Sequence, residues 1–113
     1  MRRASLDLPY TLIDAFERSL SHPETFNFPG FDIVEQAKPG HFLKVGAEFQ
    51  DADSEWSGER FWVIVRTANG SGAAVRLTGE INNDLQCTDS HGLRLGDVVA
   101  FAPRHVLDFD YES

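Results

Sequence analysis

One cysteine and one methionine are all the sulfur in this 113-residue chain. A lone Cys87 excludes an internal disulfide framework and any zinc site built from several cysteines, and it fits a reducing compartment. Basic residues are scarce too: ten stand against eighteen acidic ones, for a net charge of -8 and an isoelectric point near 4.8. The only adjacent basic pair is Arg2-Arg3, so little offsets the repulsion between this field and a phosphate backbone, and no nucleic-acid partner is expected. No run approaches the roughly 20 apolar residues that cross a bilayer. No apolar stretch follows Arg2-Arg3 as a secretory leader requires, so no membrane association and a cytoplasmic location are expected.

Several chemical signatures are missing as well. Four histidines, His22, His41, His91 and His105, include no closely spaced helical pair of the kind that holds a metal, so no metal and no cofactor are expected. His22, His41 and His91 sit beside a proline, after a turn glycine and in a polar loop, which predicts solvated roles for them. No strand-turn-helix nucleophile elbow is present, and "NGSG" lacks the lysine and following helix of a phosphate loop. Cys87 and His91 lie close enough in sequence to pair, although nothing nearby orients the imidazole as a base. The carboxylates Asp51, Asp53 and Glu55 lack the offsets of a calcium loop and read as a solvated acidic turn.

What the chain does have is a core. It is 42% hydrophobic with nine phenylalanines, and a chain of this length buries roughly two-thirds of its unfolded surface in one domain. Residues 1-21 form a helical region: Leu8, Leu12, Ile13, Phe16 and Leu20 recur at helical spacing, which predicts a helix over Leu8 to Leu20 with Asp7 as its N-cap. Residues 22-40 carry three prolines and two glycines and form a connector. It has room for one short helix around Phe31 to Ala37, with Phe26, Phe28 and Phe31 pinning it to the core.

Residues 41-113 are β-rich. Leu43, Val45, Ala47 and Phe49 alternate with polar or small residues, and Phe61, Val63 and Val65 alternate with Trp62, Ile64 and Arg66. "ANGSGA" then turns the chain into a strand that alternates Val75, Leu77 and Ile81 with Arg76, Thr78 and Glu80. A further strand runs through "GDVVAFAP" to Pro103, and "RHVLDFDYE" adds a short last one. The expected fold is α+β: an N-terminal helix packed on a small, strongly bent antiparallel sheet or SH3-like barrel of four to five strands.

The elements "HPETF", "KPGHFLKV", "GERFWVIV", "GEINND", "GLRLGDVV" and "FAPRHVLDF" together resemble a widespread bacterial domain-of-unknown-function family, the one numbered 2314. Its pattern of Glu-x-Met/Phe-Trp-Val, Gly-x-Leu/Ile-x-Asn-x-Pro and Gly-Asp-x-Val with a closing Ile/Val-x-Asp covers about His22 to Asp108. This resemblance points to Glu59, Phe61, Trp62 and Val63, to Gly79, Ile81, Asn83 and Asp84, and to Gly96, Asp97, Val99, His105, Val106 and Asp108. It implies no activity. The chain departs from the pattern where Leu85 and Gln86 stand in place of the usual proline.

Of these positions, Gly79 suits a bulge or sharp bend, Gly96 a turn with positive φ, and Asp97 a turn closed through its side chain. Glu59, Trp62, Asn83, Asp84, His105 and Asp108 remain as candidate binding residues. Trp62 leads, because indoles concentrate binding energy at interfaces. The expected function is a non-enzymatic interaction module with a basic protein partner, of inhibitor or immunity type. The alternative is a small-ligand binder or hydrolase using a His105, Asp84 and Asp108 cluster. Alternation turns Trp62 away from Phe61, which leaves its cover by the N-terminal helix to the tertiary structure.

Overall fold

A computed structural model describes residues 10-24, 28-50, 56-70 and 75-111. Among them six strands form one antiparallel sheet: β1 (Thr11–Leu12), β2 (Phe42–Gln50), β3 (Trp56–Asn69), β4 (Arg76–Ile81), β5 (Val98–Phe101) and β6 (Asp108–Asp110). The order β1-β2-β3-β4-β5 curls into a half-barrel. β6 shares the outer edge of β2 with β1, pairing Phe42 to Lys44 while β1 pairs Ala47 and Glu48. Among the described residues three short α-helices accompany the sheet: α1 (Ala15–Ser21), α2 (Phe31–Glu35) and α3 (Thr88–His91). It is the expected α+β arrangement, with β1 as the one strand more than expected.

The period-two pattern places the core. Leu43, Val45, Ala47 and Phe49 of β2, Phe61, Val63 and Val65 of β3, and Leu77 and Ile81 of β4 are all buried on the concave face. Val34 of α2, Leu93, Val99, Phe101 and Val106 close it. Phe28 and Phe31 do tie the connector down, each packing on Phe16 of α1 with ring centres 5.5 and 5.1 Å away. Phe26 and the acidic turn of residues 51-55 lie outside the described residues.

The N-terminal helix is shorter than the spacing predicts. Asp14, not Asp7, is its N-cap, its carboxylate accepting the Glu17 N–H at 2.9 Å; Asp7 lies outside the described residues. Thr11 and Leu12 are strand residues on β2, and Ile13 donates its N–H to the Gly46 carbonyl at 2.9 Å. Leu12 and Ile13 both satisfy a helical spacing, yet here they alternate: Leu12 enters the core and Ile13 covers the opposite sheet face over Gly46. Tyr10, Thr11 and Ile13 are β-prone, and an open strand edge offered backbone partners that an isolated helical turn lacks. Leu20, expected on the packed stripe, is 67% exposed.

Gly96 behaves as expected, whereas the bulge expected at Gly79 lies in the strand that faces it. Gly96 has φ +92° in the turn before β5, and the Asp97 carboxylate accepts the Arg94 N–H at 3.0 Å. Across from Gly79 the register of β3 slips between Val65 and Thr67. This bulge tightens the bend of the sheet.

Candidate interaction face

β3 presents two unlike faces, and Glu59 belongs to the inner one. Counting by twos from Phe61 puts Glu59 on the concave side, where it is only 13% exposed. Its carboxylate accepts the backbone N–H of Gln86 at 2.7 Å and of Cys87 at 2.9 Å, and meets His91 Nε2 at 2.9 Å. His91 is fully buried against Phe49, with ring centres 5.1 Å apart, and its Nδ1 accepts the Leu93 N–H at 3.0 Å. Nδ1 being an acceptor, Nε2 carries the proton and donates it to Glu59. Burial alone would raise the Glu59 pKa. The hydrogen bonds from Gln86, His91 and Cys87 and the nearby imidazole outweigh it and hold the carboxyl below its ordinary 4.5.

This clasp corrects two sequence expectations. Glu59 does not stand beside Trp62 on the convex face but anchors residues 86-91 from the concave one. His91 is not solvated. Both of its ring nitrogens are committed, so it cannot serve Cys87 as a base. The signal was legible, since a glutamate in phase with Phe61, Val63 and Val65 must find buried donors.

Trp62 faces the other way, half-buried on the convex side, and α1 does not cover it; α1 packs instead against the 3-10 turn Pro103–His105. Where β4 ends, the chain is strapped to the Trp62 backbone. The Asn82 N–H donates to the Trp62 carbonyl at 2.9 Å, and Asn83 Oδ1 accepts the Trp62 N–H at 2.5 Å. The Asn83 carboxamide thus supplies the acceptor that the departing strand no longer offers. Lys44 is the cross-strand partner of Trp62 and holds Nζ 5.5 Å from the ring centre. On the far side of Lys44, β6 places Asp108 in the same row, exposed. Phe42, Trp62, Asn82, Asn83 and Asp110 enclose a shallow pocket of about 220 Å³. Neither Phe42 nor Asp110 stood out in the sequence, because only the β2–β6 pairing brings Asp110 opposite Phe42.

Asp84 is exposed next to Asn83, at the Ile81 end of β4. His105 lies beyond the other end of the ladder, past Phe101, which pairs with Leu77. There it meets Asp14, Arg104 and Arg76, and its Nδ1 accepts the Ala102 N–H at 3.0 Å. The cluster expected of His105, Asp84 and Asp108 is therefore divided: His105 and Asp84 lie beyond opposite ends of β4, and Asp108 stands in the row of Lys44 and Trp62. Among the described residues no group of three or more His, Cys, Asp or Glu side chains could hold a metal ion, and no helix is long and apolar enough to cross a membrane.

Burial pushes His105 below its ordinary 6.5, with Asp14 pulling the other way and Arg104 and Arg76 adding to the fall. The unfolded chain therefore takes up this proton first, and stability is lost as pH drops from 6.5 toward the folded value. Urea unfolding at pH 7.5 and 5.5 should show a smaller loss for His105→Gln than for the parent. Equal losses in both would show that His105 does not carry it.

No protein-family model, no curated protein and no solved structure matches this chain.

Proposed function

We propose that the chain is a non-enzymatic, cytoplasmic protein-interaction module whose contact surface is the convex face around Trp62, Asn83, Asp84 and Asp108, and that it acts on a basic partner as an inhibitor or immunity-type protein. One observation carries this reading. A tryptophan sits half-buried on a sheet face beside Phe42 and Ile64, with its backbone pinned by Asn82 and Asn83. A half-buried indole on a pinned strand, with polar groups at hand, is the kind of residue on which interface energy concentrates. The net charge of -8 favours a basic partner through long-range attraction. Family resemblance adds Trp62 and Asn83 as motif positions without adding an activity.

Affinity capture from the native host tests the reading. The parent chain should retain a basic protein that Trp62→Ala loses or binds about thirtyfold more weakly, the scale of a central interface residue. Matching thermal unfolding of the two chains would confirm that the fold is intact. If the folded Trp62→Ala variant captures the same proteins equally well, the convex face is not the contact surface.

A further inference from the structure

The pocket beside Trp62 has a size and a chemistry. Its volume of about 220 Å³ is below the roughly 300–1,000 Å³ of small-molecule sites and suits one long side chain. Its lining combines two aromatic residues, Phe42 and Trp62, with Asp110 on β6 and with Asn82 and Asn83 after β4. Aromatic walls cover an aliphatic stem and attract a cationic head by their π faces.

We infer that this pocket receives an arginine or lysine side chain of the basic protein partner, its stem between Phe42 and Trp62 and its head group on Asp110. The inference rests on the convex face being the interaction surface and names the chemistry of its central contact. The indole already draws a cation within the chain, since Lys44 Nζ stands 5.5 Å from its centre. Lys44 does not line the pocket itself.

Bordering charges are mixed, and the balance favours a cation. Lys44 and Asp108 share a row of the β2–β6 ladder and offset each other, while Arg66 is paired with Glu80. Asp110 lines the pocket and Asp84 is exposed next to Asn83, against which Arg60, two residues before Trp62, is the opposing charge. A carboxylate offers about four acceptor positions, so bonds that Asp110 makes within the chain leave it capacity for an incoming donor. Arginine suits the site better than lysine, because its planar guanidinium can stack on a ring while bridging a carboxylate.

The test titrates the full chain with N-acetyl-arginine amide and with the isosteric neutral citrulline amide, reading the Trp62 indole N–H and the Asn83 carboxamide by two-dimensional NMR. Both signals should move with arginine at millimolar affinity, about tenfold more weakly with citrulline, and less at high salt. Asp110→Asn, an exposed substitution that leaves the core untouched, should weaken arginine binding about tenfold, the worth of one hydrogen bond to a charged group. Equal shifts with citrulline, an unchanged affinity in Asp110→Asn, or a Trp62 signal that does not move would each overturn the inference. Should Trp62→Ala still abolish partner capture in that case, the interaction face stands and only its cationic contact falls. Arginine binding without any Trp62-dependent protein partner would overturn the assignment to a protein side chain.

Discussion

Replacing Glu59 with alanine should lower the free energy of unfolding by about 3 kcal/mol, since it strips the acceptor from buried His91 Nε2 and from the half-buried Cys87 N–H at roughly 1–3 kcal/mol each. Gln86 is exposed, and water can replace its lost bond. For a domain whose whole stability is about 5–15 kcal/mol, that is a large share, and the melting temperature should fall by roughly 10–20 °C. Glu59→Gln keeps one acceptor oxygen and should lose less. The loss should couple to His91: in a double-mutant cycle with His91→Ala the two effects should be strongly non-additive, because either change alone breaks the same bond.

The acid limb offers a second reading of the same clasp. With its folded pKa below 4.5, Glu59 contributes stability that is present above pH 4.5 and is lost as pH falls through the folded value. Glu59→Gln removes this titration, so its stability should fall less steeply below pH 4.5 than the parent's. A Glu59→Ala loss smaller than about 1 kcal/mol would mean that residues 86-93 are held without the carboxylate.

Gly79→Ala should cost about 2–3 kcal/mol through overpacking alone. A Cβ there would stand 2.6 Å from Val63 Cγ2, 2.8 Å from Val63 Cβ and 3.3 Å from Phe101 Cε1. Val63 is fully buried and β-branched, so no alternative rotamer takes its methyl out of the way, and the backbone must shift instead. The neighbouring glycines set a scale. At Gly46 an added Cβ meets Ile13 Cδ1 at 2.6 Å, the far end of a longer side chain that can turn aside, so Gly46→Ala should cost less. At Gly58 the nearest atom is 3.5 Å away, and alanine there should be neutral or slightly stabilising by relief of backbone entropy. Guanidinium unfolding of the three variants should rank them Gly79, Gly46, Gly58. Any other order would show that Cβ crowding does not govern these sites.

These two positions also mark how far local pattern carries. Gly79 reads in sequence as a bulge or bend, and the register of β3 does slip opposite it. Its tighter constraint, the closeness of Val63 and Phe101, depends on two other strands. Glu59 was within reach of the same parity that assigns Phe61, Val63 and Val65 to the core, because strand side chains alternate strictly. Grouping it with Trp62 follows closeness in sequence, and an odd separation along a strand means opposite faces. Helical spacing was misleading at Leu12 and Ile13, where two apolar residues in a row satisfy either period and the open edge of β2 decides between them.

The sequence by itself determined the fold class, the inward residues of β2, β3 and β4, the turn at Gly96 and the outward direction of Trp62, since each follows from alternation or from local backbone sterics. Only the tertiary structure decided what surrounds those residues. Pairing of β6 with β2 sets Asp110 opposite Phe42 and Asp108 in a row with Lys44, and the placement of α3 buries His91 against Phe49 and Glu59. The reason is range: a two-residue period records which side of a strand is wet, whereas a pocket or a clasp is made by residues tens of positions apart that share no period.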